Sequence, residues 1–127
     1  MLRANLEHPA ADALTKLLEV TFGPKAVVAE EFAIRGVEQV VIFGSWAARY
    51  AGQAGPPPRD IDVLVVGKVD RADLYDAADR AQARLGVEVN PVVRSTEQWR
   101  DAADALIAQI KASAFTVVVG SPQVLDA

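Results

Sequence analysis

Residues 37–66 read VEQVVIFGSWAARYAGQAGPPPRDIDVLVV, and the changes of pattern within this stretch decide the fold class. Val37 to Phe43 is a β-branched and aromatic run bounded by Gly36 and Gly44, the composition of a short buried strand. Gly44-Ser45 ends it, and Trp46-Ala47-Ala48-Arg49-Tyr50 has the composition of a short helix. The prolines at 56, 57 and 58 remove donors and force extended geometry, so Gly52 to Arg59 is a loop. Asp60 to Val66 is a second strand and the most apolar one, which predicts a central place in a sheet covered on both faces.

Downstream, Asp70 can cap a helix whose Leu74, Ala77, Ala78, Ala81 and Leu85 recur at helical spacing before Gly86 closes it. Val87 to Arg94 is a third strand, and Pro91, which cannot donate to a ladder, assigns it to an edge or a bulge. Ser95-x-x-Gln98 resembles a capping box, and Trp99, Ala103, Leu106, Ile107 and Ile110 define one face of a single following helix. Phe115 to Val119 is the last strand, ended by Gly120-Ser121-Pro122. Upstream, Pro9 can open a helix whose Leu14, Leu17, Leu18 and Phe22 share one face before Gly23-Pro24 stops it. A second helical stretch, about Lys25 to Arg35, carries Val28 and Phe32 one turn apart and ends at Gly36. The alternation after Gly36 is that of an α/β domain with helices packed on a sheet, preceded by one or two helices that read as well as an appendage as they do as core.

With 127 residues and about half of them apolar, the chain has room for one domain with a sizeable core. The net charge of −4, from 13 basic and 17 acidic residues with no basic run, excludes gripping nucleic acid by bulk electrostatics, so no direct nucleic-acid binding by this chain is expected. The absence of cysteine excludes thiolate metal sites and a Cys nucleophile. The single histidine, His8, lies beside Pro9 near the N-terminus, which leaves oxygen ligands for a hard cation as the metal chemistry at hand. No apolar run approaches the roughly 18 residues of a membrane span, and no signal-peptide core follows Met1, so a cytoplasmic protein away from membranes is expected.

Successive side chains of a strand point to opposite faces, so Asp60 and Asp62 project together while Ile61 projects away. Two carboxylates that close repel each other, and a divalent cation such as Mg²⁺ or Mn²⁺ resolves the conflict; Mg²⁺ is held by one or two carboxylates plus phosphates and water. The plainer alternative makes Asp60 a turn residue after the prolines and Asp62 a solvated strand end. A glycine after a buried strand lets the backbone approach a ligand closely, and Ser45 adds a hydroxyl that can cap the helix or meet a phosphate. The alternative there is an ordinary strand-to-helix turn. Placed at the ends of consecutive strands, however, the two motifs are the halves of a metal-nucleotide site.

FGSWAARY followed by RDIDVLVVG resembles the minimal nucleotidyltransferases of the polymerase-beta superfamily: a hydrophobic strand, Gly-Ser, a short helix often reading Ala-Arg-Gly, then Asp-x-Asp on the next strand. The resemblance runs from about Val37 to Val119 and implies a nucleotidyltransferase fold, a small mixed sheet with helices packed on it. It implies that Gly44 and Ser45 bind a nucleoside triphosphate, that Asp60 and Asp62 hold the metal ions as catalytic carboxylates, and that Arg49 matches the helix arginine at the nucleotide. Members transfer a nucleoside monophosphate to a hydroxyl on an antibiotic, a nucleic acid or a protein. The chain departs from the pattern in two places. The stretch between Ser45 and Asp60 is longer, with Tyr50 where glycine is usual. Asn90 falls where the family has its third acid, while Glu88, two residues earlier and on the same face, reads either as a substitute acid, about 6–7 Å away by the strand rise, or as a solvent-facing residue of an edge strand. An amide can coordinate a metal but is a poor base, so Asn90 is expected as a nucleotide-binding residue of a site that does little chemistry unless Glu88 compensates. Trp99, Leu106 and Ile107 read as core, and Trp46 as either core or pocket wall.

Residues 1–24, MLRANLEHPAADALTKLLEVTFGP, resemble the end of a wing and the linker helix of ArsR-like winged-helix regulators that carry such a transferase domain. The division implied is an N-terminal linker or dimerisation helix at 1–24 and a nucleotidyltransferase-like domain at 25–127. Two functions are expected of such a chain: an active nucleotidyltransferase, or a nucleotide-sensing and partner-binding module of a regulator or of a toxin–antitoxin pair. Possible partners are therefore a protein or a fused DNA-binding domain, and the Leu14, Leu17, Leu18, Phe22 stripe predicts a homodimer.

Overall fold

The computed structural model describes residues 23–119. Helix α1 occupies residues 23–31, followed by strand β1 at Val37–Phe43, helix α2 at Gly44–Tyr50 and strand β2 at Asp60–Gly67. Helix α3 at Arg71–Leu85, strand β3 at Glu88–Arg94, the short helices α4 at Thr96–Arg100 and α5 at Ala105–Ala112, and strand β4 at Thr116–Val119 complete the described chain. The stripe of Leu14, Leu17, Leu18 and Phe22, nearly all of the wing-like segment, and Gly120-Ser121-Pro122 lie outside the described residues. Among the described residues no helix is long and apolar enough to cross a membrane.

The sheet runs β3-β2-β1-β4, with β2 parallel to β3, β1 antiparallel to β2 and β4 antiparallel to β1. The mixed sheet matches the expected fold class, β2 is central, and the strand carrying Pro91 stands at an edge of the sheet. Alternation along β2 divides the core. Ile61, Val63 and Val65 face one cluster with Val28, Phe32, Trp46, Leu74 and Ala77, whereas Leu64 and Val66 face another with Val41, Trp99, Ile107 and Ile110. Each Leu, Ile or Val so buried contributes about 1.5–3 kcal/mol by removing apolar surface from water.

The structure settles or corrects several expectations. Of the two readings open for the helix before Gly36, α1 takes that of core: Val28 and, just past its end, Phe32 are 0% exposed. Gly23 and Pro24, expected to stop a helix, are themselves helical. The helix ends at residue 31 rather than near Arg35, and Gly36, at φ +91°, then turns the chain into β1 against the Lys68 carbonyl, a place with no room for a Cβ. Lastly, the single helix expected after Ser95 is two. The Ser95–Gln98 capping box forms, with Ser95 Oγ accepting from the Gln98 N–H at 3.0 Å and Gln98 Oε1 from the Ser95 N–H at 2.8 Å. The helix breaks after Arg100, Ala102 takes φ +48°, and Asp104 starts a new helix by accepting from the Ile107 N–H at 3.0 Å. Ala103, read as part of the buried face, is exposed at that break.

Asp70 caps α3 as expected, accepting from the Ala72 N–H at 2.8 Å, and Gly86 closes it in the left-handed conformation. Glu31 at the end of α1 meets Arg80 and Arg84 of α3, each at 2.9 Å, and Arg80 first, then Arg84, holds its carboxyl below the usual range. These exposed pairs fix orientation between two helices that the apolar core already joins.

Candidate functional site

Strand β2 opens on Asp60, and its register places the site. Asp62 pairs with Phe43 of β1 on one side and Asn90 of β3 on the other, while Asp60 pairs with Glu88. Because β2 and β3 are parallel, Asp60, Asp62, Glu88 and Asn90 form two adjacent rows on one face, the face of Leu64 and Trp99. Asn90 Nδ2 donates to Asp60 Oδ2 at 3.0 Å and to Asp62 Oδ1 at 3.4 Å, so the amide bridges the two carboxylates.

Asp62 is the perturbed member of the group. Burial pushes its carboxyl above the ordinary value, and the charges of Asp60 and, less strongly, Glu88 push the same way, while the Asn90 hydrogen bond opposes them. Next to it, Gly44 leaves β1 at φ +75°, and a Cβ there would collide with Asp62 Oδ2. Glycine is thus required twice, for the left-handed backbone and for the carboxylate laid against it. The α2 N-cap is Phe43 and has no side-chain cap bond; Ser45, which the sequence allowed as a cap, sits in the first turn instead.

Gly44, Ser45 and Asp62 line a cavity of about 370 Å³ whose far wall is α5 and the residues after it, including Gln109, Ile110 and Ser113. Gln53 from the proline loop also lines it. The sequence reading did not single out Gln53, Gln109 or Ser113; the four-residue spacing of Gln109 and Ser113, beside the buried Ile110, was the available signal. Leu106, read as core, is partly buried and lines the cavity as well. Glu88 lies beside Asp60 in register and borders a separate shallow depression with Asp79 and Gln82. Trp46 is buried and stacks on Tyr50 with ring centroids 5.0 Å apart. Arg49, expected at the nucleotide, does not line the cavity, and its guanidinium donates to the carbonyls of Gln53, Ala54 and Pro56 at 2.8, 3.0 and 2.9 Å.

The donor set suits a hard cation that needs few protein ligands. Among the described residues no group of three or more His, Cys, Asp and Glu forms a protein-only metal cage. Asp60 and Asp62 supply paired carboxylate oxygens with Asn90 between them. The Asn90 amide can present either its nitrogen to the carboxylates or, rotated, its oxygen to a cation. Mg²⁺ fits such a set, since it completes its shell with water and phosphate oxygens.

No family model matches the chain, and no curated protein matches it in sequence. Solved structures do match in shape. A toxin–antitoxin structure with AMP-PNP superimposes with a TM-score of 0.55 at 18% identity, over 80% of this chain and 76% of that one. The structure of a tri-AMPylated Shewanella oneidensis HEPN toxin in complex with MNT antitoxin gives a TM-score of 0.54 at 16% identity, over 79% and 72% of the two chains. A toxin–antitoxin variant in which two aspartates spaced by one residue are changed to glutamate gives 0.52 at 15%, over 91% and 76%. At such identities the likeness is one of fold: the chain is a small α/β domain with the nucleotidyltransferase fold.

Proposed function

We propose that this domain binds a nucleoside triphosphate with Mg²⁺ or Mn²⁺ and acts as a nucleotidyltransferase, moving a nucleoside monophosphate to an acceptor hydroxyl. The observation that carries the reading is the Gly44–Asp62 contact: a glycine with no room for a side chain lays a half-buried, charge-crowded carboxylate beside a cavity that Ser45 also lines. Asp60 and Asp62 would hold the cation, with Asn90 beside them, and Gly44 and Ser45 would meet the phosphates. Bound there, the cation neutralises charge on the phosphate oxygens. Glu88, in register with Asp60, is the acid available to accept the acceptor's proton in place of Asn90.

Asn90 also favours a second reading, a module that binds nucleotide and a protein partner without turnover. An amide between the carboxylates relieves their repulsion but takes no proton. The toxin–antitoxin neighbours, one with AMP-PNP, support a protein partner for such a module; a fused winged helix and a homodimer through the N-terminal stripe are the other assemblies that the sequence suggests.

Calorimetry with ATP separates these readings. Binding that requires Mg²⁺ or Mn²⁺ and is lost in Asp62→Asn supports the site. Transfer of labelled nucleotide to an acceptor that disappears in Glu88→Gln supports the enzyme; metal-dependent binding without transfer supports the module. No binding of any triphosphate by the unsubstituted protein leaves the fold alone standing. Sedimentation as a monomer at about tens of micromolar would count against the homodimer.

A further inference from the structure

The segment from Ala51 to Arg59 stands out because it is long, exposed for most of its length and nevertheless tied down at both ends. At its far end Pro57 and Pro58 border an apolar hollow with Trp46, Ile61, Leu85 and Val87. At its near end the Gln53 N–H reaches back to the Ala48 carbonyl at 2.9 Å and the Gly52 N–H to the Arg49 carbonyl at 3.0 Å. Between these anchors Arg49 gives three hydrogen bonds to three carbonyls of the segment. Gly55 completes the arrangement: a Cβ there would collide with the Arg49 guanidinium, so a side chain at this position would have to displace it from the loop.

We propose that Arg49 is a positioning residue that acts on the candidate nucleotide cavity through this loop, holding Gln53 in the cavity wall, rather than by touching phosphate. Arg49 is absent from the residues lining the cavity, whereas Gln53, whose carbonyl it grips, lines it opposite Gln109. Three of the five guanidinium donors are committed to backbone oxygens, and a lysine, with a single nitrogen, cannot span carbonyls of residues 53, 54 and 56 in that planar geometry. The cavity wall formed by Gln53 is therefore as well defined as the latch that holds it.

This role rests on the nucleotide reading of the same cavity, and the test keeps the two apart. Amide hydrogen exchange of residues 51–59 is measured without nucleotide in the unsubstituted protein, Arg49→Lys and Gly55→Ala, and magnesium-dependent binding of ATP and AMP is measured for the same proteins and for Gln53→Ala. A latch predicts faster loop exchange in both Arg49→Lys and Gly55→Ala. It also predicts that each weakens ATP and AMP by a similar factor, about tenfold for the loss of a charge-assisted hydrogen bond. Gln53→Ala should weaken binding without speeding exchange of the rest of the loop. Direct phosphate contact predicts the opposite pattern: Arg49→Lys retains most of the affinity, Gly55→Ala is neutral, and losses grow with the number of phosphates. Binding by the unsubstituted protein together with unchanged exchange and affinity in Gly55→Ala overturns the latch alone. Failure of the unsubstituted protein to bind ATP overturns the nucleotide reading, and this role with it.

Discussion

The two faces of the sheet are built from the same strands and do different work. On one, Ile61, Val63 and Val65 of β2 are sealed under α1, α2 and α3, with Phe32, Leu74 and Ala77 filling the space between. On the other, Leu64 and Val66 are covered by α4 and α5, and the cover stops before the start of β2, where Asp62 and Asp60 take the positions that leucine and valine hold further along. Covering one face fully supplies the burial, and leaving the end of the other uncovered lets charged residues occupy strand positions at a tolerable desolvation cost.

Substitutions can break or sharpen this contrast. The largest effect is expected on the sealed face: Phe32→Ala should destabilise by about 3–5 kcal/mol, read as a fall in the denaturant midpoint, because the side chain has no exposed surface and leaves a cavity. A small loss would mean that the turn after α1 contributes little to the core. Gly44→Ala at the open end should cost about 1–2 kcal/mol for the left-handed backbone, yet remove metal-dependent triphosphate binding by displacing the Asp62 carboxylate. Unimpaired binding in that variant would separate the glycine from the site. Ser95→Ala, at the start of the short cover, should cost about 1 kcal/mol in thermal melts while leaving binding intact.

The smallest effect is in pH dependence, and it should have opposite signs at two aspartates. The folded state raises the Asp62 carboxyl, so its penalty is present at neutral pH and vanishes as pH falls through the raised value and past the ordinary 3.8. Asp62→Asn should therefore melt higher than the unliganded parent at neutral pH, with the gain gone below that value. Asp104 is lowered, first by the Ile107 N–H and then by Arg94, so its contribution is present above the ordinary value and lost as pH falls through the lowered one. Asp104→Asn should melt lower at neutral pH and converge with the parent in acid. The same sign at both positions would refute the electrostatic account of one of them.

Much of this arrangement was legible in the sequence. The bounds of β1 and α3 follow from glycines and caps that act locally, and the shared face of Asp60 and Asp62 from the two-residue period of a strand. The break between α4 and α5 was hidden because Leu106, Ile107 and Ile110 keep helical spacing with Trp99 across it, and only the backbone reveals that Asp104 begins a new helix. The partners of Arg49 were illegible for a different reason. Its acceptors are main-chain carbonyls, which every residue carries, so no side-chain pattern announces them. The Asn90 bridge needed the parallel register of β2 and β3, which brings Asn90 to residues thirty and twenty-eight positions away in the chain.

That bridge also has a bearing on how the protein ages. Asparagine side chains hydrolyse spontaneously to aspartate chiefly when the backbone nitrogen of the next residue attacks the amide carbon and closes a succinimide ring. At Asn90 the next residue is Pro91, whose ring nitrogen carries no hydrogen and cannot make that attack. The position where a slow chemical clock would add a third carboxylate to Asp60 and Asp62 is thereby shielded from it, and the charge of the site stays what translation made it.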